Sequence, residues 1–567
     1  MEVFYATYQP TEYHYTLYYY DQAGNLVKTL PPDAVIPNYN PTYFAQVAAA
    51  RAAGTDLTNG TNIESLATQY RYNTLNQVIA QQTPDAGTSQ FWYDRLGRLA
   101  VSQNAKQADS AAYSYTDYDP LGRITEVGQK PQHTAMTQTI SQDTTTLASW
   151  LADLTNGGLK VQITRTVYDT AYVPMSGTSV PINGSYLRNR VAYTAVIDHE
   201  NTNVPEWRAA TFYSYDPHGN VDTLVQDYDS ASVMGLVTGN RFKIMTYDYD
   251  LISGKVNQVS YQPGKADAFY HQYTYDAENR LIAVSTSRDS IEWENDATYT
   301  YYRHGPLARV ELGSLGLQGV DYAYTLQGWL KSINPSWLTP GGTAAQYDSD
   351  GMSTIAYFER DAYKLNLNYF DDGTYTDFSP INPLTGYIQG NPLTSSAKRN
   401  LYDGNIASQA LNIRALTTTG SRDVGPMLYN YGYDQLNRIS SMDAWAANGK
   451  FQPGSSALSD YAERYTYDPN GNILTLNRTG DSAQGAAQLS YHYIYAKTSG
   501  GTGEYVPGSA PTSGVAHLTN QLSSIGVTTS GGTPNSNELT NQSAFNYQYN
   551  EIGQLIADSK AQVSNVV

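Results

Sequence analysis

Most of this chain is written in short runs where apolar and polar residues alternate, each broken by a small polar cluster and then resumed. QYTYD at Gln272 to Asp276, RYTYD at Arg464 to Asp468 and YQYN at Tyr547 to Asn550 place an aromatic ring at every second position. Beyond the cluster the alternation returns as LVKTL after Tyr20, LAVSQ after Tyr93, ITEVG after Tyr118 and LIAVS after Tyr275. A period of two belongs to a strand with one face buried. The pattern therefore predicts strand, tight turn, strand as the repeating element, and an antiparallel sheet with tyrosine ladders when such hairpins stand side by side.

The interrupting cluster has a fixed form, Tyr-Asp-x-x-Gly-Asn/Arg-apolar. It occurs as YDQAGNL from Tyr20, YDRLGRL from Tyr93, YDPLGRI from Tyr118, YDPHGNV from Tyr215 and YDPNGNI from Tyr467. Asn279 and Asn437 replace the glycine in YDAENRL from Tyr275 and YDQLNRI from Tyr433. Looser copies are YNTLNQV from Tyr72, YTLQGWL from Tyr324 and YNEIGQL from Tyr549, and YDLISGKV from Tyr249 carries one extra residue, for eleven copies in all. The aspartate can accept backbone N–H bonds two residues on, and Pro120, Pro217 and Pro469 preset the next dihedral. Glycine then supplies positive φ, and asparagine is the residue that best replaces it there, so the substitutions themselves support a turn. Tyrosine spacings of 21 residues (Tyr72 to Tyr93), 25 (to Tyr118), 26 (Tyr249 to Tyr275) and 34 (Tyr433 to Tyr467) are hairpin-sized. A strand–helix–strand crossover at each period would need about 30 residues or more.

Along the chain, residues 1–130 read as a repeat strip, with a possible short helix near 42–53 in TYFAQVAAARAAGTDL. Residues 131–210 read as an irregular β insert, and 211–330 as repeats again. Residues 331–427 read as divergent β repeats, and 428–567 as a strip with Gly/Ser-rich loops at Thr498 to Gly514 and Thr529 to Thr540. A repeat architecture removes the need for several globular cores that 567 residues would otherwise suggest.

Composition narrows the function. Only 15% of residues are charged and 52 are tyrosine, so the polar surface is built from Tyr, Gly, Asn, Gln, Ser and Thr, which favours sheet over helix. The net charge of -18 repels phosphate backbones, and no Lys/Arg run exceeds two residues, which argues against nucleic-acid binding. With no cysteine, disulfides and thiolate metal sites are excluded. No apolar stretch is long enough to span a bilayer as a helix, and the N-terminus lacks the basic and apolar regions of a secretory signal.

The recurring Tyr-Asp-x-x-Gly-Asn/Arg-apolar unit, from Tyr20 to Leu555, resembles the YD repeat of the Rhs family, shared with the C-component shell of Tc toxin complexes and with teneurins. YTLYYYDQAGNLVKTLPP at Tyr15 to Pro32 is especially similar to the repeat opening of large Bacteroidetes Rhs-type proteins. The resemblance implies an all-β fold of antiparallel β-hairpins forming a long spiralling sheet, a barrel-like β-cocoon or partial shell. It also implies a secreted or extracellular shell or scaffold of a polymorphic toxin, whose partners are its own C-terminal cargo domain and delivery machinery. In that family an Asp-Pro-x-Gly region for self-cleavage precedes the cargo. Here Asp119-Pro120-Leu121-Gly122 and Asp468-Pro469-Asn470-Gly471 are internal turns, so the resemblance implies a shell or part of one, without protease segment or cargo.

No catalytic, cofactor-binding or metal residue is assigned by the sequence. The histidines, His14, His133, His199, His218, His271, His304, His492 and His517, have no metal-ligand spacing. Asp216, Asp276, Asp434 and Asp468 could be paired carboxylates for sugar hydrolysis, but each sits in a turn that already explains it. Asp348-Ser349-Asp350-Gly351 and Asp371-Asp372-Gly373 are acidic turns without the spacing of a calcium loop. The expectation is a protein that is not an enzyme. An extracellular surface-binding or adhesion module recognising glycan or protein is the alternative, carried by Trp92, Trp293, Trp329 and Trp445 near the turns.

Overall fold

The computed structural model describes residues 13–35, 37–55, 64–173, 180–200, 207–228, 240–334, 361, 363–370, 401–414, 423–446, 461–480, 488–497, 518–530 and 539–564. The acidic turns at 348–351 and 371–373, the segment 498–514, residues 531–538, His517 and the side chain of Trp445 lie outside these.

One antiparallel sheet of 28 strands runs from Leu17–Tyr20 to Leu518–Ser530, and a separate three-stranded sheet follows at Tyr547–Tyr549, Leu555–Asp558 and Val563–Ser564. Every strand of the large sheet pairs with the strand next to it in sequence, so the whole sheet is a meander. Alternate strands end in the repeat tyrosine, for example at Tyr72, Tyr93, Tyr118, Tyr215, Tyr249, Tyr275, Tyr433 and Tyr467. The Tyr-Asp turns consequently fall on one long edge of the strip, the turn edge. The remaining connections fall on the other, the loop edge.

Among the described residues four α-helices interrupt the loop edge: α1 (Pro41–Ala53), α2 (Ala105–Asp109), α3 (Gln138–Gln142) and α4 (Thr144–Ala152). Asn40 caps α1 at its start and Gly54 ends it in a left-handed conformation, yet none of its residues is buried. Residues 131–210, expected as irregular β, hold α3 and α4 beside the strands Val161–Tyr168 and Val191–His199. Trp150 and Leu151 of α4 pack on the sheet with Val101, Tyr113 and Tyr115, which explains why a helix forms there.

The two faces of the strip differ chemically. On one, Tyr213, Tyr273, Tyr299, Tyr431 and Tyr465 stand opposite Leu224, Val284, Val310, Met442 and Leu476. The strand Phe269–Tyr275 is typical, with Tyr273 and Tyr275 half-buried and Gln272 and Thr274 exposed. Tyrosines two apart stack along the strand, with ring centroids 6.4 Å apart for Tyr213/Tyr215 and 6.3 Å for Tyr247/Tyr249. The opposite face is polar where bare, as at Thr466 opposite Thr475 and Arg464 opposite Asn477. Elsewhere it is covered, by α4 and by the segment around Tyr172, which packs on Trp207 and Phe212.

The expected barrel-like closure requires correction. Among the described residues Leu17–Tyr20 pairs only with Leu26–Leu30, and Leu518–Ser530 only with Gln488–Lys497, so the sheet is open. Strand twist accumulated along the strip carries its last turns back to its first loops, which they meet edge to edge.

Candidate functional site

Each Tyr-Asp unit is a turn in which one aspartate satisfies most of the backbone. At Asp94 the N–H donates to Arg98 O (2.9 Å), and Gly97 N–H donates to Asp94 O (3.0 Å). The side chain then accepts from Leu96 N and Arg98 N through Oδ1 (2.9 Å each) and from Arg98 Nε through Oδ2 (2.7 Å). Asp119 and Arg123, Asp276 and Arg280, and Asp434 and Arg438 repeat the arrangement, and Asn25 or Asn472 takes the arginine's place. Positive φ follows at Asn76 (59°), Asn279 (61°) and Asn437 (61°), where glycine stands in the other copies. Burial pushes the carboxyls of Asp119, Asp276 and Asp434 up, but the hydrogen bonds from the residue four on outweigh it and hold them below the ordinary range.

The tyrosine joins one hairpin to the previous one. Tyr93 O–H donates to Val78 O (2.7 Å), Tyr118 to Leu99 O (2.9 Å), Tyr275 to Val256 O (3.0 Å) and Tyr467 to Ile439 O (2.7 Å). In each case the acceptor is the apolar residue that closes the preceding unit. The arginine of that unit lies over the same ring, with Arg98 4.3 Å from the Tyr118 centroid, Arg123 4.2 Å from Tyr168, and Arg438 4.5 Å from Tyr467. At about 1 kcal/mol per hydrogen bond and about 0.5–1 kcal/mol per cation–π contact, each joint is modest. Repeated along the edge, the joints form a rail of turn aspartates and edge tyrosines, with an arginine between them in several copies.

Several units that the sequence reading missed belong to this rail, Tyr369 O–H donating to Leu330 O (2.8 Å) and Tyr495 O–H to Ile473 O (2.9 Å) among them. Tyr168-Asp169 is completed by Asn189-Arg190-Val191 across an insertion: Asp169 N–H donates to Arg190 O (3.1 Å), Asn189 has φ 60°, and Tyr215 O–H donates to Val191 O (2.9 Å). The Asn-Arg-apolar ending was the available signal. At Tyr301, Tyr302 replaces the aspartate, and Tyr302 N–H still donates to Pro306 O (2.9 Å) while Tyr301 O–H donates to Leu281 O (2.8 Å).

The turn edge of the last hairpins docks on the loop edge of the first, at residues more than four hundred positions apart. Asn520 donates from its backbone N–H to Asp85 Oδ1 (2.8 Å) and from Nδ2 to Asp85 Oδ2 (3.0 Å), and Gln521 Nε2 donates to Asp85 O (2.9 Å). Asn470 and Asn472 both donate to Asn520 Oδ1 (3.2 and 3.0 Å), and Asp33 N–H donates to Asn470 Oδ1 (2.8 Å). A Cβ at Gly553, whose φ is +77°, would lie 2.7 Å from Asp85 O, so backbone meets backbone at this seam. Burial, then the charge of Asp468, pushes the Asp33 carboxyl up. About 24 strands at about 4.8 Å spacing separate the two sides, which corresponds to a perimeter of about 115 Å.

A second polar cluster lies on the covered face. Glu126, buried, accepts from Tyr115 O–H (2.8 Å), Lys160 Nζ (2.9 Å) and Arg165 Nε and Nη2 (2.9 and 2.8 Å). Burial pushes its carboxyl up, but these donors together hold it below the ordinary range, and burial drives the Tyr115 phenol well above its own. A carboxylate held by two cations and a phenol that stays protonated is an arrangement that locks strands together.

The residues singled out from sequence are scattered. Trp92 borders a cleft beside α3, Trp329 packs on Tyr369 with centroids 5.1 Å apart, and Trp293 is half-buried. His271 stacks on Tyr273 and His304 on Tyr302, and His14, His133, His199, His218 and His492 are exposed. Asp216, Asp276, Asp434 and Asp468 each close their own turn. No protein-family model matches the chain, and no curated protein matches it. Among solved structures it is similar to TcdB2-TccC3, at 13% identity and TM-score 0.25, over 95% of this chain and 26% of that one. It is also similar to a Photorhabdus luminescens Tc holotoxin pore, at 13% identity and TM-score 0.25, over 96% and 26%. A porin-like protein from Bacteroides uniformis matches at 10% identity and TM-score 0.18, over 59% and 91%. The chain spans about a quarter of the length of the first two.

Proposed function

We propose that this chain is a wall of a hollow, non-catalytic container: the secreted shell or scaffold of an Rhs-type polymorphic toxin, enclosing a cargo domain that lies outside these 567 residues. The observation that supports it most is the seam. A meander whose last turns return to its first loops surrounds a space, and a perimeter of about 115 Å describes a ring about 35 Å across, or about 25 Å inside the side chains. A folded domain of about 100 residues has a radius of gyration of about 13 Å. One turn of strip is therefore narrow for a folded domain and suits an extended or partly unfolded chain. The rail stiffens the wall, because each hairpin is tied to its neighbour by side chains as well as by the ladder.

Cryo-electron microscopy of the full chain tests this reading. The expected result is a curved wall around a low-density lumen, with turn and loop edges in contact at Asp85 and Asn520. A filled body in which the tyrosine face of one part packs against another part would overturn it.

A further inference from the structure

Outside the rail and the seam, a cleft of about 620 Å³ opens on the polar face between strands Thr68–Tyr72, Val78–Thr83 and Gly87–Tyr93 and helix α3. Its volume is that of a small-ligand site. Gln69 stands directly opposite Gln82, Gln90 is one strand over, and Gln142 reaches in from α3. These four carboxamides are exposed and make no hydrogen bond among the described residues. Trp92 forms the apolar side, its ring held from behind by Tyr113 (5.9 Å, edge-on), which is held in turn by Trp150 (5.2 Å). Helix α3 is fixed to the same strand by Ser141 Oγ and Gln138 Nε2, which donate to Tyr93 O (2.8 and 3.1 Å). The cleft is therefore pre-formed.

Its chemistry excludes several ligand classes. Among the described residues no carboxylate lines it, which argues against a divalent cation, and Arg71 is the one charged group among them, too few for a phosphate polymer. All three floor strands are paired on both sides, so a peptide cannot add as a further strand. What remains is a ligand with many groups that both donate and accept hydrogen bonds and with a flat apolar face. Carboxamides are matched donors and acceptors, and an indole ring stacks on the C–H face of a pyranose.

We infer that this cleft binds an oligosaccharide of two or three rings, with one sugar stacked on Trp92 and its hydroxyls held by Gln69, Gln82 and Gln90. The site is independent of the container reading. Calorimetric titration of the full chain with cellotriose, triacetylchitotriose and trigalacturonate tests it. At least one is expected to bind with a Kd between about 10 μM and 1 mM. Gln90→Ala, at an exposed position, is expected to weaken that binding at least about fivefold with the near-ultraviolet circular dichroism unchanged, and Trp92→Phe to weaken it further. The inference is overturned if none of the three saturates by about 10 mM, or if Gln90→Ala and Trp92→Phe bind as the parent does. Binding of a neutral extended peptide with no trisaccharide bound would equally overturn it.

Discussion

Asp85→Ala should open the seam while leaving the strip intact. The substitution removes both acceptors of Asn520, the Oδ1 that takes its backbone N–H at 2.8 Å and the Oδ2 that takes its Nδ2 at 3.0 Å. Hydrogen bonds to a charged group are worth about 1.5–3 kcal/mol each, but both residues are partly solvated and screening reduces the sum to about 2 kcal/mol. That is about a 30-fold shift in the opening equilibrium. Amide hydrogen exchange reads it directly. The N–H groups of Asn520 and of Asp33, which donates to Asn470 across the same contact, should exchange about 30-fold faster, with the strand Leu281–Ser287 unaffected. Asp85→Asn keeps one acceptor and should give an intermediate effect. If Asn520 and Asp33 stay within about twofold of the parent, the seam is held by something else. Equal acceleration in Leu281–Ser287 would mean that Asp85 supports the whole sheet rather than its closure.

Asn279, at φ 61°, should tolerate Gly within about 0.5 kcal/mol, whereas Ala should cost about 1 kcal/mol, read from exchange of the Asp276 amide that closes the turn. Tyr275→Phe loses only the bond to Val256 O and should cost about 1 kcal/mol in the urea stability of its hairpin; no change would dismiss the rail as a source of stability. Acid should act on the two edges in opposite directions. The turn carboxyls of Asp21, Asp119, Asp216, Asp276 and Asp434 are held below 3.8, so their stabilisation is present above that pH and is lost as pH falls through the lower folded values. Asp33 is raised by burial and by Asp468, so its contribution is full below pH 3.8 and fades as pH rises through the higher folded value. Site-resolved carboxyl titration should show these opposite signs, and a depressed Asp33 would contradict the seam geometry.

Local chemistry was legible in the sequence because it is decided within about seven residues. The aspartate at a fixed offset from positive-φ Gly or Asn dictates the same turn at Asp94, Asp276 and Asp434, and period-two alternation dictates the strands on either side. All-β architecture and hairpin order follow from those two facts, since a hairpin fixes its own partner. Insertion defeats this reading, as at Tyr168-Asp169, where the unit is completed at Asn189 and only the closed hydrogen-bond ring reunites its halves. Tertiary structure alone decided three further things. The placement of α3 and α4 depends on Trp150 finding Tyr113 on a strand some forty residues away in the chain. Glu126 gathers Tyr115 from the strand before its own, Lys160 from the residue leading into the strand after it and Arg165 from that strand, and no local pattern marks it. The seam is the clearest case, because a small twist at each strand sums over about 24 strands before Asp85 and Asn520 can meet. A sequence fixes each turn, but that accumulated rotation is a property of the assembled sheet.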